Sequence, residues 1–211
     1  MARAHSRLTA PERRARILDA AALAFAAYGY YATSIREIAR LAGITKPVLY
    51  DHFNSKQELY IALIEVVRDE LTSGTAAVMA RNVQLELRIR TAIDGFFRYV
   101  EANPAATRVL FTPPEGEPAV VKAARRVQNE ATARLVAQMG AERDLLPSAA
   151  ERELQLAVFM EFLKKGLHGL ALWWSEHPEV PRTELVDAVM ELAWAGLRSQ
   201  IATKEDAQQH K

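Results

Sequence analysis

The chain has 211 residues, half of them hydrophobic, with a mean hydropathy of −0.10 and a net charge of +1. That length suits one domain or two small ones sharing an interface. The absence of cysteine excludes disulfides and thiolate metal sites, and no run approaches about 18 uninterrupted apolar residues, which argues against a membrane span.

Residues 1–56 carry nine Lys/Arg against four Asp/Glu, a local charge of +5, and the rest of the chain carries −4. A basic head on an acidic body is what a phosphate-binding module joined to a solvated partner domain would show. Met1 to Thr9 is polar and basic and lacks the apolar run of a signal peptide, so the expected location is cytoplasmic.

Nearly every segment reads as helix, and the alternating apolar runs of strands are missing. Thr9-Ala-Pro-Glu12 has the pattern of a capping box with Pro11 in the first turn. The helix it opens presents Ile17, Ala21, Ala24, Phe25 and Tyr28 on one face, and Gly29 ends it. Ser34 to Glu37 is a second capping box, opening a short helix that carries Ile35, Ile38, Ala39 and Leu41 inward and stops at Gly43. Thr45 caps a third short helix in which Pro47 is tolerated in the first turn. Ser55 to Glu58 opens a fourth helix, expected to reach Leu71. Two short helices joined by Ala42-Gly43-Ile44-Thr45 have the dimensions of a helix-turn-helix.

Beyond Gly74 the expected helices lengthen: about 76–102, a shorter one ending at Thr112-Pro-Pro114, then 120–139, 150–176 and 183–203, with a break at Leu145 to Ser148 and a polar tail from Lys204.

The stretch Thr33-Ser-Ile-Arg-Glu-Ile-Ala-Arg-Leu-Ala-Gly-Ile-Thr-Lys-Pro-Val-Leu-Tyr-Asp-His-Phe-Asn-Ser-Lys-Gln-Glu-Leu59 resembles the DNA-binding signature of TetR-type (TetR/AcrR) transcriptional regulators. So does the preceding Ile17-Leu-Asp-Ala-Ala with Phe25 and Tyr28-Gly29, and Trp173 to Pro178 looks like some members. The close resemblance covers residues 11–71, a third of the chain. It implies an all-α fold of about nine helices. A three-helix DNA-binding head would occupy 11–71, a helical ligand-sensing and dimerisation domain 75–203, and a disordered tail 204–211. Pro47 stands where the family commonly has a small residue, often Gly, so an apolar base contact is expected there rather than a backbone one.

Elementary physics points the same way. A short helix with an open N-terminus favours a phosphate, and first-turn residues of a helix entering the major groove touch base edges. Lys46 is expected to donate to guanine, and Pro47 and Val48 to meet a thymine methyl. The resemblance implies that Tyr50 and His52 donate to phosphates. Thr33, Ser34, Thr45, Arg36 and Lys56 are further contact candidates, with capping alone as the plainer alternative for Ser34 and Thr45, and Arg3 and Arg7 of the N-terminal arm would enter a flanking minor groove.

In the penultimate helix Leu156, Met160, Leu163, Leu167, Leu170 and Trp174 form one stripe, and Phe159, Phe162, Gly166, Gly169 and Trp173 a second. A helix apolar on two faces must be covered on both, one by its own domain and one by a symmetry mate. The first stripe, with Val186, Met190, Ala193 and Leu197 of the last helix, is assigned to a homodimer interface, although spacing alone leaves open which face that is. Phe96, Phe97, Tyr99, Phe111, Phe159, Phe162 and Trp173 are the candidates to line an apolar effector cavity.

The reading is of a repressor released from a palindromic double-stranded operator by a small apolar or amphipathic molecule, needing no cofactor. The alternatives are an activator, or a DNA-binding regulator with no ligand. An enzyme is disfavoured: five scattered histidines form no metal motif, and no nucleophile signature or phosphate-cradling Gly loop occurs.

Overall fold

The computed structural model describes residues 8–79, 81, 83–140 and 149–194, and among these there is no strand. The helices are α1 (Ala10–Ala32), α2 (Ile35–Leu41), α3 (Lys46–Tyr50), α4 (Lys56–Met79), α5 (Leu85–Ala102), α6 (Pro104–Phe111), α7 (Pro118–Gly140), α8 (Ala149–Glu176) and a ninth, α9, over residues 182–194. The described chain resolves into two compact units, Met1–Val67 with Ala105–Val127, and Arg68–Pro104 with Gln128–Lys211. The division falls within α4 and within α7, so α6 and the start of α7 fold with the head rather than with the remainder of 75–203.

The first unit is built on α1. Thr9 caps it with a complete capping box: Glu12 N donates to the Thr9 hydroxyl, and the Glu12 carboxylate accepts from Thr9 N at 2.8 Å. Those bonds hold the Glu12 carboxyl below the usual carboxylate range. Ile17, Ala21 and Phe25 are buried as the spacing predicts, together with Ile38, Leu49, Phe53, Leu59, Tyr60 and Ile64. Removing each of the large side chains from water contributes roughly 1.5–3 kcal/mol. α6 and α7 join this core through Val109, Val120 and Val127, and the Tyr60 hydroxyl donates to the Val109 carbonyl at 2.9 Å.

Two side chains expected inward are not. Tyr28 is 61% exposed because Gly29 breaks the helix at φ 76, ψ 168, a conformation open only to glycine, and the chain turns Tyr30 into the core in its place. Tyr30 then stacks on Phe25 at 5.7 Å. Leu41 is 39% exposed: at about 100° per residue it lies a quarter turn off the stripe of Ile38, Ala39 and Ala42.

Gly74 does not end α4, which runs to Met79. The hydroxyls of Thr72, Ser73 and Thr75 donate to carbonyls one turn back (Arg68, Glu70 and Leu71), which satisfies them inside the helix on either side of the glycine. The helix expected over 76–102 is consequently α5 alone, starting at Leu85.

The second unit buries Ile89, Ile93, Phe97 and Val100 of α5, Met160, Ala171 and Trp174 of α8, and Leu185, Val186, Val189 and Met190 of α9. Arg182 ties the start of α9 to α5, reaching Asp94 at 3.1 Å and Glu101 at 2.7 Å. The expected break at Leu145 to Ser148, the end of the last helix and the tail lie outside the described residues.

Candidate nucleic-acid interface

The turn between α2 and α3 is closed by a Schellman motif. Gly43 takes φ 66, its N–H donates to the Arg40 carbonyl, and Ile44 N donates to the Ala39 carbonyl at 3.0 Å. This pins the angle at which α3 leaves α2. Ser34 caps α2, accepting from Glu37 N at 3.1 Å. The reciprocal half of that box is missing, because the Glu37 carboxylate accepts from Arg40 at 2.6 Å instead, which holds its carboxyl below the ordinary range.

α3 has a buried side and an open side. Leu49 is fully buried and Phe53, just beyond, nearly so, with the Arg14 guanidinium 5.0 Å from its ring centroid. Thr45, Lys46, Pro47 and Tyr50 are exposed, and Val48 and His52 half-buried. The Lys46 ammonium lies 5.6 Å from the Tyr50 ring centroid, so the cation is held over the end of the short helix.

Thr45 occupies the N-cap position without making a side-chain cap bond. A cap hydroxyl accepts from the N2 or N3 amide; N2 here is Pro47, which has no N–H, and the N3 amide of Val48 does not donate to it either. The Thr45 hydroxyl is left beside the open N-terminus of α3 with no cap bond of its own.

Two of the contact candidates make bonds within the fold. Thr33 is 2% exposed, and its hydroxyl donates to the carbonyls of Gly29 at 2.7 Å and Ala24 at 3.1 Å, closing the end of α1. Lys56 is half-buried, and its ammonium donates to the carbonyls of Tyr30 at 2.8 Å and Thr33 at 3.1 Å, 4.4 Å from the Tyr30 ring centroid. It clasps the end of α1 to the start of α4. Arg36 is exposed. The sequence reading passed over Arg14 and Arg16 individually. Arg14 covers Phe53, and the Arg16 guanidinium lies against the Gly43 turn. Only the charge sum of the segment hinted at them. Arg3 and Arg7 lie outside the described residues.

In the second unit the two stripes of α8 separate. Met160 (6% exposed) and Trp174 (8%) of the first stripe are buried within their own chain, as are Val186 and Met190 of α9, while Leu163, Leu167, Leu170 and Ala193 are half-buried. These positions, assigned above to a dimer interface, belong chiefly to the intramolecular core. Trp174 packs edge-on against Phe97 at 5.7 Å and donates its indole N–H to the Val180 carbonyl. The side chain of Leu156 and all of Leu197 lie outside the described residues.

The open face of α8 is the other one. Phe162 is 76% exposed and Trp173 42%, in line with exposed Leu154 and Val158, and α9 adds Leu192 at 80%. Phe162 and Trp173, expected to line a cavity, therefore point away from their own domain. Trp173 is stacked on His177 at 4.2 Å. Of the other cavity candidates, Phe97 is fully packed, and Phe96, Phe111 and Phe159 are half-buried. Tyr99 is half-buried and donates its hydroxyl to Glu70 at 2.8 Å.

A family model for bacterial regulatory proteins of the tetR family matches residues 17–63, and one for the tetracyclin repressor-like C-terminal domain matches residues 85–196. The HTH-type transcriptional activator FasR of Mycolicibacterium smegmatis is 30% identical over 192 residues, spanning 91% of this chain and 86% of that protein. Among solved structures, the fatty acid degradation regulator FadR from Bacillus halodurans superposes with a TM-score of 0.78 at 20% identity, over 91% of this chain and 99% of that one. The regulator FadR from Bacillus subtilis, solved in complex with stearoyl-CoA, superposes with a TM-score of 0.73 at 14% identity, over 85% of this chain and 96% of that one. At those identities the last two likenesses are of fold.

Proposed function

This chain belongs to the TetR family of bacterial regulatory proteins, DNA-binding transcription regulators rather than enzymes, and from that premise we propose that it is a cytoplasmic, effector-responsive homodimer that reads a palindromic operator with α3. The observation that carries the reading is the split character of α3: Leu49 buried, with Thr45, Lys46, Pro47 and Tyr50 open to solvent at a pinned angle. Lys46 and Pro47 meet base edges, and Thr45, Ser34, Tyr50 and His52 hold phosphates. Arg36 joins them on the exposed side of α2.

Two copies pair through the open face of α8 and α9, led by Phe162, Trp173 and Leu192. An apolar row of that extent on a monomer calls for a partner surface. Pairing would set the two α3 helices about 34–36 Å apart, one turn of the duplex.

The proposed effector is an amphipathic acyl thioester bound in the second unit. Support comes from the fold shared with a regulator solved with stearoyl-CoA and with a regulator of fatty acid degradation. Bound effector must favour one head spacing over the other by a real free-energy difference. Repression is one outcome of operator binding. The 30% identical relative is an activator, which favours activation as the second reading.

The test begins by selecting bound fragments from a random duplex library. Fluorescence anisotropy on the selected site then follows affinity with stearoyl-CoA, free stearate or coenzyme A added. The expected result is a symmetric site whose affinity changes only with the thioester. Binding without preference over random duplex at physiological salt would remove the operator reading; a site indifferent to all three additives would remove the sensing one.

A further inference from the structure

The first unit holds a cavity of about 550 Å³ that the operator reading does not use. That is the size of a small-molecule site, roughly 300–1,000 Å³. Its walls are the end of α1, Tyr60 of α4, and the stretch from Arg108 to Glu115. Phe25, Tyr30 and Tyr60 are buried and form a closed set of ring contacts, 5.3–5.7 Å between centroids. Tyr28 and Tyr31 are 61% and 58% exposed. The aromatic surface is thus continuous from a buried floor to an open rim, where a further ring has faces and edges to pack on.

The polar groups narrow the ligand. Arg108 is exposed, and among the described residues nothing pairs its guanidinium. The Tyr31 hydroxyl is already committed to the Glu115 carbonyl at 2.7 Å. Charges at and near the cavity balance: Arg108 and Glu115 line it, the Lys56 ammonium faces the Tyr30 ring, and the Glu117 carboxylate acts on Tyr30 and Tyr31. Lys56 stands over the Tyr30 ring, and burial followed by the Glu117 carboxylate pushes the Tyr30 hydroxyl up. A ligand with net charge of either sign meets one repelling pair.

We propose that this cavity binds an uncharged planar aromatic molecule carrying a hydrogen-bond acceptor, packed on the tyrosine rim and bonded by Arg108, as an effector site inside the DNA-binding unit. Its coupling to the reading helices is short. The carbonyls of Tyr30 and Thr33, on either side of the cavity wall's last residue, are gripped by Lys56, and Ser34 next caps α2. Displacing Tyr30 and Tyr31 moves the clasp and, with it, the origin of α2. This site is separate from the acyl site proposed for the second unit.

Isothermal titration of the full-length protein with coumarin, an uncharged planar lactone, tests it without DNA. Saturable binding is expected in the wild type, weakened at least tenfold by Arg108→Met and by Ala27→Trp, which fills the cavity from an exposed wall position. Thr112→Trp fills it from the opposite wall should Ala27→Trp fail to fold. Coumarin-3-carboxylate is expected to bind no more tightly than coumarin. A wild-type protein giving no saturable heat up to the solubility limit overturns the proposal, as does undiminished affinity in a folded filled variant. On operator DNA, coumarin is expected to change the wild-type Kd at least threefold and the filled variant's not at all. An unchanged wild-type Kd overturns the effector role while leaving the binding titration to stand. Failure of operator binding itself leaves the titration unaffected, so the two readings fail separately.

Discussion

Replacing Lys56 with Met separates a clasp from a phosphate contact. Methionine keeps most of the aliphatic stem and deletes the ammonium. In the structure that ammonium donates to the carbonyls of Tyr30 at 2.8 Å, Thr33 at 3.1 Å and, more weakly, Tyr31 at 3.5 Å, and it faces the Tyr30 ring at 4.4 Å. A hydrogen bond from a charged donor contributes about 1.5–3 kcal/mol, and the ring contact about 0.5–1. The carbonyls are part-buried and regain some water, so the net loss is set at about 2–3 kcal/mol. Urea unfolding followed by circular dichroism should show this as a lower midpoint with an unchanged slope. Operator affinity should fall through loosened helix geometry, while the dependence of log K on log salt keeps its gradient. A phosphate contact behaves in the opposite manner. Each one lost flattens the gradient by about 0.9, twice that for a symmetric pair, with stability untouched. A flattened gradient at wild-type stability would refute the clasp.

Lys46→Ala is expected to relax sequence choice at one base pair per half-site, costing about 1–3 kcal/mol of discrimination, whereas Tyr50→Phe should weaken binding to all duplexes alike. Competition anisotropy against single-base variants of the selected site distinguishes the two patterns. Phe162→Glu puts a charge on the open face of α8 and should shift the protein to monomer in sedimentation at micromolar concentration, with Met160→Glu instead unfolding the second unit; dimers surviving Phe162→Glu would place the interface elsewhere. Burial, with Lys165 and Lys164 adding to it and Glu161 opposing, pulls His168 down to about 4 from an ordinary 6.5. Below pH 6.5 the unfolded chain therefore binds a proton that the folded one refuses. Stability should fall between pH 6.5 and 4 by on the order of 2–3 kcal/mol. His168→Leu should flatten that part of the pH–stability curve, and an equal acid loss in the variant would acquit the histidine.

The head was legible because its signals are local. A cap and its partner three residues on sit within one turn of each other, a glycine closes α2, and the structure realises the Thr9 box in full. Where a second partner competes, the local rule gives only half its bonds. Arg40 takes the Glu37 carboxylate, and the Asn54 amide nitrogens take that of Glu58, each leaving only the amide-to-hydroxyl half of a box. The clasp made by Lys56 was not legible because its partners lie 23–26 residues away, at a helix end whose geometry depends on Gly29. The stripes of α8 posed the same difficulty on a larger scale. Both are apolar at helical spacing. Which one its own domain covers depends on α5 and α9, through contacts such as Phe97 with Trp174 that no periodicity encodes.

Pro47 bears on how long the Thr45 contact lasts. Its ring nitrogen has no N–H to offer the Thr45 hydroxyl, and the hydroxyl makes no cap bond at all, so nothing at the helix end fixes its direction when a phosphate arrives to take its O–H. Pro47→Ala restores an N2 amide from which the hydroxyl can accept while its O–H still donates to phosphate, so a cap formed there would orient the contact rather than compete with it, and the signature would be slower release with little change in the rate of association.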